Sequence, residues 1–255
     1  MNKSIREIRE EMQAATMDEL PVFIHTYESD SRAGVQTLLG SARKKLEAYQ
    51  KERERLVQMC AYENKYQALT YICGIDEAGR GPLAGPVVAG AVILPRDCRI
   101  LYLNDSKQLT AKKREELYDI IRDRAVGVGV GVSGPERIDE INILQATYEA
   151  MRQAVAQLPV GPDILLNDAV TIPDVDIPQV PIIKGDAKSV SIAAASIVAK
   201  VTRDRMMTAY DSVYPGYGFA ANKGYGSREH IAALKKQGAC AIHRKSFIRK
   251  FVETQ

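Results

Sequence analysis

The stretch Tyr71-Ile72-Cys73-Gly74-Ile75-Asp76-Glu77-Ala78-Gly79-Arg80-Gly81-Pro82-Leu83-Ala84-Gly85-Pro86-Val87 decides how the rest of the chain is read. Its opening, 71–75, is a short β-branched run that predicts a strand, and the apolar run 87–94 predicts a second one after a turn rich in Gly and Pro. Asp76 and Glu77 directly follow the first of these strands. Adjacent carboxylates repel unless something neutralises them, and hard Mg²⁺ or Mn²⁺ favours carboxylate oxygen. A solvated acidic turn accounts for the pair as readily at this point. The glycines from Gly79 onward do not make a nucleotide loop, because no phosphate-binding lysine accompanies them and two acids precede them.

Upstream, residues 1–70 read as a helical extension. Ser31 is a candidate cap for a segment over 36–59, in which Leu38, Leu39, Leu46 and Leu56 punctuate a heavily charged sequence. So sparse an apolar face predicts an appendage with an exposed polar side. Downstream, the domain 71–255 continues with a helix over 110–124, for which Thr110 is the N-cap, and a third strand over 126–132, where Val alternates with Gly. Residues 135–156 read as one or two helices, and 163–167 and 180–183 as strands. Ser189 then opens a helix whose Val190, Ala193, Ala194, Ile197, Val198 and Val201 share one apolar face. Three early strands followed by strands alternating with helices predict an α/β domain, a mixed sheet flanked by helices.

Two further acids stand just beyond apolar strands: Asp168 after Ile164-Leu165-Leu166-Asn167, and Asp186 after Val180-Pro181-Ile182-Ile183-Lys184-Gly185. Taken singly, each also reads as a turn or cap residue. If the three strands are neighbours, Asp76, Glu77, Asp168 and Asp186 converge at one sheet edge, where open α/β sheets commonly bind ligands. Four oxygen ligands without nearby His or Cys suit a two-metal phosphodiester site. His25 lies in the extension, and His230 and His243 are too few and too separated in sequence to suggest a histidine metal centre.

Composition narrows the classes without choosing among them. The longest apolar stretch, around 83–94, is interrupted by Gly and Pro and too short to span a bilayer, and the first residues lack the apolar core of an export signal. Cys60, Cys73, Cys98 and Cys240 are scattered, which argues against a cysteine zinc site and for free thiols in a reducing compartment. The chain is therefore expected to be soluble and cytoplasmic. Its charge is uneven: 71–221 carries 16 basic and 19 acidic residues, whereas 222–255 carries 8 basic and 2 acidic. Such a basic tail could neutralise phosphates, although a solvated charged surface has the same composition.

The segment from Gly74 to Val87 resembles the signature of type 2 ribonucleases H, specifically the bacterial ribonuclease HII family. Further matches in family order are Asp105-Ser106-Lys107-Gln108-Leu109, Lys184-Gly185-Asp186-Ala187-Lys188-Ser189, Asn222-Lys223-Gly224-Tyr225-Gly226-Ser227 with His230, and His243-Arg244-Lys245-Ser246-Phe247. They span about 71–250, so the extension 1–70 lies outside them. The resemblance implies a ribonuclease H-like fold with an N-terminal helical extension. It also implies an endonuclease that cuts RNA in RNA–DNA hybrids and single ribonucleotides in duplex DNA, leaving 5′-phosphate and 3′-hydroxyl ends. Asp76, Glu77, Asp168 and Asp186 would be its catalytic and metal-binding acids, holding Mg²⁺ or Mn²⁺, expected as two ions in the substrate complex.

By the same resemblance, the backbone of Gly79-Arg80-Gly81 would approach the scissile ribonucleotide and recognise its 2′-hydroxyl, and Tyr225 would stack at the RNA–DNA junction. Lys107, Lys184, Lys188, Arg244 and Lys245 are candidates for phosphate contact. The sister family, ribonuclease HIII, typically carries Gly-Thr-Gly where this chain has Gly79-Arg80-Gly81, and a different amino-terminal fold. For the extension the sequence names no protein partner.

Overall fold

The computed structural model describes residues 3–252 and divides the chain into two compact units, Met1–Gln58 and Met59–Gln255. In the first, α1 (Ile5–Ala14), α2 (Leu20–Tyr27) and the start of α3 (Ala33–Met59) enclose a small core of their own. That core consists of Ile8, Leu20, Phe23, Val35, Leu38, Leu39 and Ala42. A capping box starts α1: Ser4 Oγ accepts from Glu7 N, and the Glu7 carboxylate accepts from Ser4 N. The extension is helical as expected, but its apolar residues are spread over three helices. Reading 36–59 alone therefore makes the apolar face look sparser than it is.

The second unit begins earlier than the change of sequence texture at residue 71 suggests. After the short α4 (Ala61–Lys65), Tyr62, Tyr66 and Leu69 pack against Ile72, Ile164, Leu166, Ile182 and Ile192. Five strands follow: β1 (Ile72–Ala78), β2 (Val87–Ile93), β3 (Gly127–Ser133), β4 (Ile164–Asp168) and β5 (Gln179–Ile182). They form one mixed sheet in the order β3-β2-β1-β4-β5. The first three are antiparallel, whereas β4 and β5 run parallel to β1.

Helix α5 (Ala111–Arg124) is capped by Thr110, whose hydroxyl accepts from Lys113 N. Helix α6 (Pro135–Ala156) breaks at Asn142, where the backbone leaves helical geometry and the side chain caps the second half through Leu144 N and Gln145 N. This settles the choice between one helix and two in favour of two helical segments joined end to end. Helix α7 (Val190–Val213) starts at Ser189, which accepts from Ile192 N. The apolar residues read from its sequence are all buried, as are Ser191 and Ser196 between them. Helix α6 covers β2 and β3 on one side of the sheet, and α7 covers β1 and β2 on the other. The chain ends in α8 (Phe219–Asn222), α9 (Arg228–Gln237) and α10 (Lys245–Ile248).

Helix α7 comes close to the sheet because Gly90 stands directly opposite Asp76 in the β1–β2 pairing. A β-carbon at Gly90 would lie 2.5 Å from the Ala195 carbonyl oxygen of α7. Only glycine fits there, and the approach brings Ser196 of α7 into hydrogen-bonding reach of the Asp76 carboxylate.

Candidate active site

Strand β1 is longer than its apolar run implies, so Asp76 and Glu77 lie within it instead of following it, and Asp168 is the last residue of β4. The paired residues Ile75 and Asn167 precede Asp76 and Asp168, so these two acids are side by side at the same end of neighbouring parallel strands. Asp186 sits beyond β5 in a single 3₁₀ turn, Gly185–Ala187. That turn is tied to β4 by Asp168 Oδ1, which accepts from Gly185 N at 2.7 Å. The strand order alone thus brings the four expected carboxylates to one edge.

Their electrostatics are those of crowded acids. Burial, then the Glu77 and Asp168 charges, push the Asp76 carboxyl well above the ordinary range, against a stabilising bond from Ser196. Burial also raises Glu77, with Arg80 opposing from 3.3 Å. Asp186 is pushed up to about 6 by burial and by the charges of Asp105 and Asp168. Burial would lower Lys107, but Asp105, Asp76, Asp186 and Asp168 together raise it above its ordinary value, making it the ammonium that faces the cluster.

Asp105 is a member of this group that sequence reasoning missed, although it opens the Asp105-Ser106-Lys107 match. Its charge helps raise the Asp186 carboxyl, and its Oδ1 accepts from Lys107 N at 2.9 Å. Ser196 donates to Ser106 Oγ at 2.9 Å, linking that turn to helix α7.

Among the described residues no set of three or more His, Cys, Asp and Glu side chains is drawn tightly enough to hold an ion as it stands. The donor set nevertheless fits a hard divalent cation. All its members are carboxylates, their mutual repulsion resists ionisation, and bound positive charge would relieve that repulsion.

Beside the acids lies the turn 79–86. Gly79 adopts φ +95° and Arg80 is exposed, while Gly81 has open space where a side chain would stand. Leu83 N donates to Gly224 O at 2.8 Å, which places the Tyr225 loop against this turn, and Tyr225 is 45% exposed. Lys107, Lys184, Lys188 and Lys245 are exposed cations.

Arg244 is a correction: it is 0% exposed, and its guanidinium donates inward to the carbonyls of Gly79, Arg80 and Gly85. It cannot reach a phosphate from there. A run of cations read from sequence alone gives no sign that one of them points into the protein.

The fold also joins the two histidines whose separation in sequence argued against a shared role. His230 Nε2 and His243 Nε2 are 3.0 Å apart and buried. Cys240 N donates to His243 Nδ1, so His243 carries its proton on Nε2 and donates to His230, which in turn donates from Nδ1 to Tyr225 O at 2.8 Å. Burial and the neighbouring His230 push His243 down to about 4, and burial lowers His230, so both rings stay neutral. The pair anchors the Tyr225 backbone and provides no metal site.

A family model described as "Ribonuclease HII" matches residues 73–250, and one described as "Ribonuclease HII N-terminal domain" matches residues 4–67. The chain is 60% identical over 249 residues to the "Ribonuclease HII" of Lachnoclostridium phytofermentans, covering 98% of each sequence. To the "Ribonuclease HII" of Clostridioides difficile it is 50% identical over 253 residues, covering 98% of this chain and 99% of the relative. Among solved structures, the ribonuclease H2 of Pyrococcus horikoshii superposes with a TM-score of 0.57 at 30% identity, over 71% of this chain and 96% of that one. The mixed sheet with its flanking helices is therefore the ribonuclease H-like fold, and the chain belongs to the ribonuclease HII family.

Proposed function

We propose that the chain is an endonuclease that cuts the RNA strand of RNA–DNA hybrids and single ribonucleotides embedded in duplex DNA, leaving 5′-phosphate and 3′-hydroxyl ends. The observation that carries this reading is the meeting of Asp76, Glu77, Asp168 and Asp186 at one end of adjacent strands, beside an open glycine turn and an exposed tyrosine. These four carboxylates would hold Mg²⁺ or Mn²⁺, two ions in the substrate complex, supplying water activation and charge stabilisation at the leaving oxygen.

The protein's own groups do the rest. Asp76 Oδ1 accepts from Glu77 N at 2.7 Å and Asp168 Oδ1 accepts from Gly185 N at 2.7 Å, so these two acids are oriented by backbone groups without substrate. Lys107 offsets the crowding of acids and offers a cation to an approaching phosphate. Backbone groups of 79–81 meet the ribose, where a 2′-hydroxyl tells RNA from DNA, and the Tyr225 ring meets the sugar beyond the junction. Lys184, Lys188 and Lys245 are exposed and available to backbone phosphates.

Among the described residues no helix is long and apolar enough to cross a membrane. The reading carries a cytoplasmic location, where four unpaired thiols stay reduced.

The test is cleavage by the purified full chain of duplexes holding one or several ribonucleotides, with Mg²⁺ and Mn²⁺ compared. Metal-dependent cutting is expected for the parent. For Asp76→Asn, lost turnover with native circular dichroism is expected. No cutting with either metal, or near-normal turnover by Asp76→Asn, would count against the proposal.

A further inference from the structure

Two arginines are fully buried in the second unit, Arg203 of α7 and Arg244 before α10, each 0% exposed. Among the described residues neither forms an ion pair with a carboxylate; Asp204 and Asp139 act on them only from a distance. Each guanidinium is held instead by three backbone carbonyls. Arg203 donates to Pro86 O at 2.8 Å, Lys223 O at 2.9 Å and Ala84 O at 3.1 Å. Arg244 donates to Gly85 O at 3.0 Å, Arg80 O at 2.8 Å and Gly79 O at 2.5 Å.

Burying a cation without a counterion is expensive, and core packing alone gives no reason for two of them. All six carbonyls belong to the turn 79–86 and the loop leading to Tyr225. A trans peptide points its N–H opposite to its C=O, so drawing the Gly79 and Arg80 carbonyls inward turns the N–H groups of Arg80 and Gly81 away from Arg244. Neither N–H has a backbone acceptor among the described residues, and the space at Gly81 is open. Arg203 in turn lies 5.9 Å beneath the Tyr225 ring, a cation–π contact, while tying Lys223 to Ala84 and Pro86.

We infer that Arg203 and Arg244 are positioning residues that set ribonucleotide specificity from beneath the surface: Arg244 aims the Arg80 and Gly81 amides, and Arg203 seats Tyr225 against the same turn. Neither touches substrate. The specificity part rests on the proposed function, while the clamp itself can be measured without it.

Arg244→Lys keeps the charge and loses the fork, so misplacement of the turn is expected to lower turnover on a single-ribonucleotide duplex on the order of a hundredfold. Duplex affinity should change far less. Hydrogen exchange of amides in 79–86 should rise in Arg244→Lys, and that of 222–226 in Arg203→Lys. Millimolar guanidinium should restore part of the activity of Arg244→Ala, which a merely structural loss would not allow. If the parent itself cuts nothing, the functional reading fails, and the exchange measurement still judges the clamp. Parent-like exchange across 79–86 in Arg244→Lys, or parent-like turnover by that variant, would overturn the inference.

Discussion

Replacing Asp186 by Asn should stabilise the metal-free protein while abolishing its activity. Asp186 is 8% exposed, and its carboxyl is pushed from an ordinary 3.8 up to about 6 by burial and by the Asp105 and Asp168 charges. Because the folded-state value is the higher one, the folded protein binds more protons than the unfolded chain between these two values. Stability on this account is fully present below 3.8, falls as pH rises through 6, and is lowest at neutral pH. A shift of about two units at ~1.4 kcal/mol each makes the ionised group cost about 3 kcal/mol at neutral pH. Asparagine keeps the shape and removes the charge, so up to that amount is recovered. At roughly 2–4 °C per kcal/mol, the melting temperature in chelator should rise by roughly 6–12 °C at pH 7.5. The gain should shrink toward zero as the pH falls below 4, where Asp186 of the parent is itself protonated. Added Mg²⁺ or Mn²⁺ should raise the melting temperature of the parent more than that of the variant, since ligation supplies the relief that the substitution supplies permanently. Thermal unfolding across pH, with and without metal, reads all of this. A variant less stable than the parent at pH 7.5 in chelator, or a difference that does not change with pH, would refute the reasoning.

Other outcomes follow from the same geometry. Tyr225→Ala should impair turnover at a single embedded ribonucleotide more than it weakens duplex binding, because the proposed role of the ring is contact at the junction and it holds no metal charge; equal parent and variant rates would remove it from that role. With Arg244 buried, the exposed cations of the basic tail, such as Lys245 and Lys250, are the candidates for phosphate contact. Replacing both by Ala should make the salt dependence of duplex affinity shallower by about one to two units, and an unchanged slope would leave them as solvated surface. Gly90→Ala should push α7 away from Asp76, costing roughly 1–3 kcal/mol of stability in denaturant titrations together with most of the activity; a fully active, equally stable variant would show that the close approach is not required.

Much of this was legible along the chain because the signals are local. Alternation of Val with Gly predicted β3, the Thr110 and Ser189 caps marked α5 and α7, and the acids just past apolar runs marked the candidate site. Other features carry no local signal. Asp76 and Glu77 belong to β1 only because β2 supplies paired partners as far as Ala78. Arg203 sits in a helix whose other charged residues face outward more freely, and nothing in its neighbours marks it as the one that turns inward.

The sequence by itself determined the class of fold, because strand texture, caps and turn chemistry depend on a few adjacent residues, and its resemblance to the family singled out the four carboxylates and the glycine turn as the site to test. Tertiary structure decided the strand order that brings β1, β4 and β5 together, the addition of Asp105 to the acidic cluster, and the neutral His230–His243 pair behind Tyr225. It also decided that Arg244 faces the Gly79 and Arg80 carbonyls and not solvent. The physical reason is common to all of these. Whether a charge is exposed, shared or buried depends on which distant segment packs over it, and that is a property of the assembled layers, not of the residues on either side.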